Sequence, residues 1–152
     1  MELINPGDGL HKAYGEVWKT RNGTTALTTV SVQGTFYLQN VPTTALDPSS
    51  TSHFTSTNIG DLVYAGPTKY FRQHIRHAPS SGFVSVHFSP AINTVQQSAK
   101  VQRGTLQAYE TGQTSDFIIQ LSDGDSVRHM IANESSVSNI TTNSFFMELR
   151  EI

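Results

Sequence analysis

Residues 127–152 read VRHMIANESSVSNITTNSFFMELREI, and both ends of this stretch alternate large apolar side chains with others. The closing segment sets Phe145, Met147 and Leu149 against Phe146, Glu148 and Arg150, the period of two that marks a pleated strand. An unpaired, buried strand would leave backbone donors and acceptors unsatisfied. The stretch is therefore expected to be tied into a sheet. Large groups on both of its faces also require a cover for the second face.

The same alternation recurs upstream. In AYGEVWKT (13–20), Tyr14, Glu16 and Trp18 alternate with Val17, and Asn22-Gly23 suits a tight hairpin turn. TALTTVSVQGTFYLQNV (25–41) reads as one bent strand or two short ones through Val30, Val32, Phe36 and Leu38, with Gly34 at a bulge or close approach. PTTALDPSSTS (42–52) is loop by composition, and HFTSTNIGDLVYAGP (53–67) places Phe54, Ile59, Leu62 and Tyr64 on two short strands broken at Gly60. TKYFRQHIRHA (68–78) puts Phe71, Gln73, Ile75 and His77 on one face and Tyr70, Arg72, His74 and Arg76 on the other, which is wet or meets a partner. FVSVHFSP, AKVQRGTLQAYETG (Val101, Leu106, Tyr109) and SDFIIQL follow before the turn SDGD at 122–125. About eight to ten short strands with no helical period between them predict an antiparallel sandwich or jelly roll.

The chain has 152 residues, enough for one domain with its own core, and no cysteine, which excludes disulfide scaffolds and thiolate metal sites. Charged residues are 14% while Ser and Thr make up roughly a quarter, a bias that suits strands. The net charge of -2 leaves no surplus for a phosphate backbone, so nucleic acid is excluded as the main partner. MELINPGDGLHKAYGEV (1–17) carries neither a signal peptide nor a membrane span, so no membrane insertion is expected. Residues 1–12, with Pro6, Gly7 and Gly9, form an arm or linker ahead of a domain at 13–152.

No constellation of catalytic residues emerges. The nucleophile-elbow, phosphate-loop, zinc-protease and dinucleotide motifs are missing. Asp123-Gly124-Asp125 lacks the further ligands of a calcium loop and reads as turn chemistry. His74 and His77 point to opposite faces of a strand, and His74 meets His87 only if Pro79-Ser80-Ser81-Gly82 closes a simple hairpin. Asn22, Asn133 and Asn139 fit the glycosylation pattern but read as turn residues in so Ser/Thr-rich a chain. The chain is read as not an enzyme, with no catalytic, cofactor or metal residue assigned.

Three segments together, AYGEVW, FTSTNIGDLVYAGPTKYFRQHI and SDFIIQLSDGDSVRHMIANESSVSNITTNSFFMELREI, resemble the tumour-necrosis-factor-like and complement-globular-head jelly rolls of phage and large-DNA-virus virion proteins. Phe54, Leu62, Tyr64, Gly66 and Phe71 fall on one family phrase, and Leu121, Asp125, Val127, Ile131, Asn133 and Ser135 on the other. Gln73, His77 and His129 depart from it by putting polar groups at inward positions. The resemblance implies two stacked sheets, strands A, H, C and F in one and B, G, D and E in the other, with the final stretch as central strand H. Strand E, somewhere in 89–116, is left unplaced.

The resemblance also implies a homotrimer. Its candidate interface comprises Tyr70, Arg72, His74 and Arg76 of strand C, Ile118 and Gln120, and Phe146 and Glu148 of strand H. Arg72 or Arg76 is expected to pair with Glu148, leaving His74 between two guanidiniums. Leu3, Ile4 and Leu10 make the arm a candidate capsid attachment. The function implied is a virion-located structural protein, a capsid decoration, cement or short fibre protein whose partners are itself and a major capsid or other virion protein. The alternative is a fibre knob that binds a receptor or host-surface glycan.

Overall fold

The computed structural model describes residues 12–19, 26–41, 52–79, 84–106 and 113–152. Within them lie β1 (Tyr14–Lys19), β2 (Ala26–Thr28), β3 (Tyr37–Leu38), β4 (Phe54–Thr55), β5 (Leu62–Tyr64), β6 (Lys69–Pro79), β7 (Val84–Ile92), β8 (Val95–Gln96), β9 (Gln102–Leu106), β10 (Gln113–Leu121), β11 (Ser126–Asn133) and β12 (Ile140–Glu151). No helix occurs among the described residues, so none is long and apolar enough to cross a membrane.

Among the described residues every strand pairing is antiparallel, and the strands divide into two sheets. The first runs β1-β12-β6-β10, with β2 also on β12; the second runs β4-β5-β11-β7-β8, with β3 on β11 and β9 on β7. This is the jelly-roll arrangement of A-H-C-F against B-G-D-E. The place beside β11 is shared by β3 and β5, and strand E is β9, registered on β7 from Val84↔Leu106 to Phe88↔Gln102. The closing stretch is indeed a central strand, held by β1 on one edge and β6 on the other.

Between the sheets, the alternation places Phe71 and Ile75 of β6, Val86 and Phe88 of β7, Ile119 and Leu121 of β10, and Met147 and Leu149 of β12 in one buried cluster. Each such side chain removed from water contributes about 1.5–3 kcal/mol. Phe54, Tyr64 and Phe71 meet at centroid distances of 4.9–5.4 Å with tilted or edge-on rings, the geometry that aromatic quadrupoles favour. Above Phe54 runs Gly15, where a Cβ would come within 2.7 Å of the ring. Glycine there lets β1 lie close to the core.

One irregularity sets the phase of β12. Thr142 pairs with Pro79 and Ser144 with Ala78, so Asn143 is an extra residue in a bulge. Ile140 and Thr142 point inward before it, and Phe145, Met147 and Leu149 point inward after it. Without the bulge the two halves of the strand would bury opposite faces.

Several expectations are corrected. The 25–41 segment takes the second of its two expected forms, two short strands, but Gly34 sits in a turn with φ of 74° rather than at a bulge. Val32 and Ile59, read as strand positions, lie on turns or bends and are 56% and 44% exposed. As the resemblance implies, and against the simple-hairpin reading, β6 and β7 belong to different sheets, which separates His74 from His87; His87 lies 3.0 Å from Glu134. Asp123, Gly124 and Asp125 do form a turn: Gly124 has φ of 82°, and Asp125 accepts from Ser122 N and Asn93 Nδ2. The arm with Leu3, Ile4 and Leu10, the Asn22-Gly23 turn, most of the 42–52 loop, the 80–82 turn and Tyr109 lie outside the described residues.

Candidate functional site

The first sheet turns its other face away from the core. Strand register arranges that face in rungs running across four strands. Trp18, Phe146, Arg76 and Thr114 form one rung; Glu16, Glu148, His74 and Asp116 form the next; Tyr14, Arg150, Arg72 and Ile118 the third. Tyr70 and Gln120 follow, with the Ile152 amide donating to the Tyr70 carbonyl at 3.2 Å. All eight residues predicted from the resemblance therefore share this one face.

The face combines charge with uncovered apolar surface. Tyr70 and Ile118 are 55% and 54% exposed, while Trp18 and Phe146 are half-buried. Arg72 Nη2 and His74 Nδ1 both lie 2.9 Å from Asp116 Oδ1. Arg150 Nε donates to Glu148 Oε1 at 3.1 Å and its guanidinium stands 5.5 Å from the Tyr14 ring centroid. The Tyr14 hydroxyl donates to the Glu16 carboxylate. Arg72, His74, Glu148 and Arg150 line a shallow depression of about 260 Å³.

Two groups on this face titrate away from their usual ranges. Burial first, then the hydrogen bond to Glu16 and the charge of Glu148, raise the Tyr14 hydroxyl. At Asp116 burial pushes the carboxyl up, but the hydrogen bonds from His74 and Arg72 outweigh it and hold the acid below its ordinary value.

Of the two pairings expected for Glu148, with Arg72 or Arg76, the one with Arg72 does not form. Asp116 lies opposite His74 on β10 and takes Arg72, while Glu148 is bound by Arg150 two residues along its own strand. Asp116 was missed in the sequence, and it removes the premise that His74 sits between guanidiniums alone. Its signal was present: it is the one charged residue in SDFIIQL, on the face opposite Phe117, Ile119 and Leu121.

A second polar assembly lies inside the sandwich, where Gln39 and Thr142 join His77 and His129, two of the inward polar residues that depart from the resemblance. His129 Nδ1 donates to Gln39 Oε1 at 2.7 Å, Gln39 Nε2 donates to Thr142 Oγ1 at 3.0 Å, and Thr142 Oγ1 lies 2.8 Å from His77 Nε2. The Gln39 oxygen sets the His129 tautomer with its proton on Nδ1, whereas the Thr142 hydroxyl serves His77 Nε2 as donor or acceptor alike. His77 Nδ1 and His129 Nε2 are left buried without a partner among the described residues. Burial pushes His77 down to about 3; burial, and secondarily the proximity of His77, does the same to His129. The His129 ring stacks on Phe88 at 5.2 Å. Gln73 donates through Nε2 to the Met147 sulfur at 3.2 Å.

No protein-family model matches the chain, and no curated protein does. Among solved structures, the chain is similar to PRD1 vertex protein P5, with a TM-score of 0.61 and 9% identity over 92% of this chain and 96% of that one. It is also similar to the Eiger TNF from S. frugiperda, with a TM-score of 0.52 and 12% identity over 93% and 92%. With identities this low the likeness speaks for architecture, and together with the sheet order it shows that the chain has a tumour-necrosis-factor-like jelly-roll fold.

Proposed function

We propose that this protein is a virion structural protein that assembles as a homotrimer through the outward face of the first sheet and serves as a capsid decoration, cement or short fibre protein. The observation that carries the trimer is the run of large side chains on that face, with Tyr70 and Ile118 more than half exposed and Trp18 and Phe146 half-buried, which the described residues leave partly uncovered. Symmetric association of copies is the usual way to bury such a surface. The virion role is supported by the fold shared with a protein named as a vertex protein.

Light scattering at micromolar concentration tests the assembly. A trimer mass is expected for the native chain and a monomer for Phe146→Asp; a native monomer overturns the reading. Mass spectrometry of gradient-purified particles tests the location, with the protein expected in fixed ratio to the major capsid protein. Its absence from the particles removes the virion role. Residues 1–12 are proposed as the attachment arm through Leu3, Ile4 and Leu10; their deletion should leave the trimer intact and abolish particle binding.

A further inference from the structure

The outward face carries two unusual juxtapositions. Glu16 lies directly opposite Glu148 across β1 and β12, and Arg150 lies directly opposite Arg72 across β12 and β6. Like charges facing each other on neighbouring strands are destabilising, and here an acidic pair adjoins a basic one. Each pair is only partly neutralised within the subunit. Arg150 reaches Glu148 through Nε, Arg72 reaches Asp116, and Glu16 accepts the Tyr14 hydroxyl. The two arginine side chains remain 62% and 60% exposed, although a guanidinium offers five donors and a carboxylate about four acceptor positions.

We propose that copies of this chain join by a polar contact in which the Glu16–Glu148 pair of one copy enters the Arg72–Arg150 pair of the next. The inference rests on the trimer reading above and adds the chemistry that sets the register between copies. The two pairs are displaced from each other by one strand and one rung, so the contact joins unlike patches. A contact of that kind closes into a ring when the rotation between copies allows it. The depression between Arg72, His74, Glu148 and Arg150 provides the place for the incoming carboxylates. Trp18 and Phe146 on one side, and Tyr70 and Ile118 on the other, would exclude water around the charges, which strengthens them. Because each group already holds one partner within its own subunit, the desolvation that penalises an isolated buried ion is offset.

Charge reversal with rescue tests this contact. The acidic variant, Glu16→Lys with Glu148→Lys, and the basic variant, Arg72→Glu with Arg150→Glu, should each sediment as folded monomers; Asp116→Lys accompanies every Arg72→Glu so that position 72 keeps its internal partner. Combining all five substitutions in one chain should restore the trimer. The native trimer should also dissociate at least ~10-fold more readily on raising salt from ~50 mM to ~500 mM, because the ion pairs are screened. A native trimer indifferent to salt overturns the inference, as do reversal variants that remain trimeric or a combined variant that folds without reassembling. In those cases the trimer reading stands. A native chain that is monomeric at low salt overturns both. If added inorganic phosphate, rather than charge complementarity, restores a reversal variant, the depression is an anion site and the proposed contact is wrong.

Discussion

His129 and Gln39 meet at 2.7 Å in the sealed space between the sheets, and Gln39 passes the connection through Thr142 to His77 on the opposite sheet. The groups packed about the two imidazoles are Gln39, Thr142, Phe88 and Phe145, so no carboxylate among them offsets a positive charge. With both rings depressed to about 3 when folded against ~6.5 when unfolded, the unfolded chain takes up protons first. Stability is therefore complete above about pH 6.5 and is lost as pH falls toward 3. Between pH 6.5 and 4.5 the two rings together should remove on the order of 4–5 kcal/mol. Thermal melts over that interval should show a falling Tm in the native chain and a shallower fall in His77→Gln or His129→Gln. A flat profile would remove the buried rings from acid sensitivity.

At Gly15 the space for a side chain is missing, since a Cβ would lie 2.7 Å from Phe54 Cγ. Gly15→Ala should cost about 1–3 kcal/mol in denaturant unfolding by overpacking, and its cost should be smaller in a Phe54→Ala background, which removes the Cγ and Cδ2 atoms the new methyl would meet. Gly124 offers a contrast, with open space but φ of 82°. Alanine there should cost about 1 kcal/mol through backbone strain, with no rescue from a neighbour.

The Asn133 side chain is buried and serves as the hub of the turn after β11. Its Oδ1 accepts from Ser135 N and Ser136 N, and its Nδ2 donates to the Ser138 carbonyl at 2.8 Å. Asn133→Ala should lower stability by about 2–4 kcal/mol, because several backbone groups lose their partner together. A loss below ~1 kcal/mol in urea titration would mean that water replaces the amide.

The bulge at Asn143 makes a prediction about length rather than identity. Asn143→Ala should change stability by less than ~1 kcal/mol, the scale of most surface substitutions. Deleting the residue should put Ile140 and Thr142 on the wrong face, losing at least ~2 kcal/mol of apolar burial and breaking the Gln39–Thr142–His77 chain. Circular dichroism and urea unfolding separate the two outcomes.

Period-two patterning made the two-sided strands legible. Residues 70–77 and 145–150 show both faces directly, because side-chain direction depends only on position within the strand. Three further phrases carried the sheet order by likeness. The partners on the outward face were not legible, since Asp116 meets His74 only through the register of β10 on β6, which long-range pairing decides. For the same reason His77 and His129 stood out singly as misplaced polar residues, while the Gln39–Thr142 link between them stayed hidden. β8 escaped because Asn93 and Thr94 turn the chain with φ of 51° and 67°, a pair of left-handed residues that lacks the usual glycine, while β9 showed as a segment whose place as strand E depends on its register on β7.

The placement of β12 bears on synthesis. It joins β1 to β6 in the first sheet but follows both of them in the chain. A ribosome that has made β1 through β11 holds a nascent chain whose opening strand still lacks its partner in that sheet. Closure therefore waits for β12, which favours slow folding and prolongs the exposure of sticky strand edges. Premature termination within residues 140–151 would remove the strand between β1 and β6, leaving a product for quality control rather than a slightly shorter working subunit.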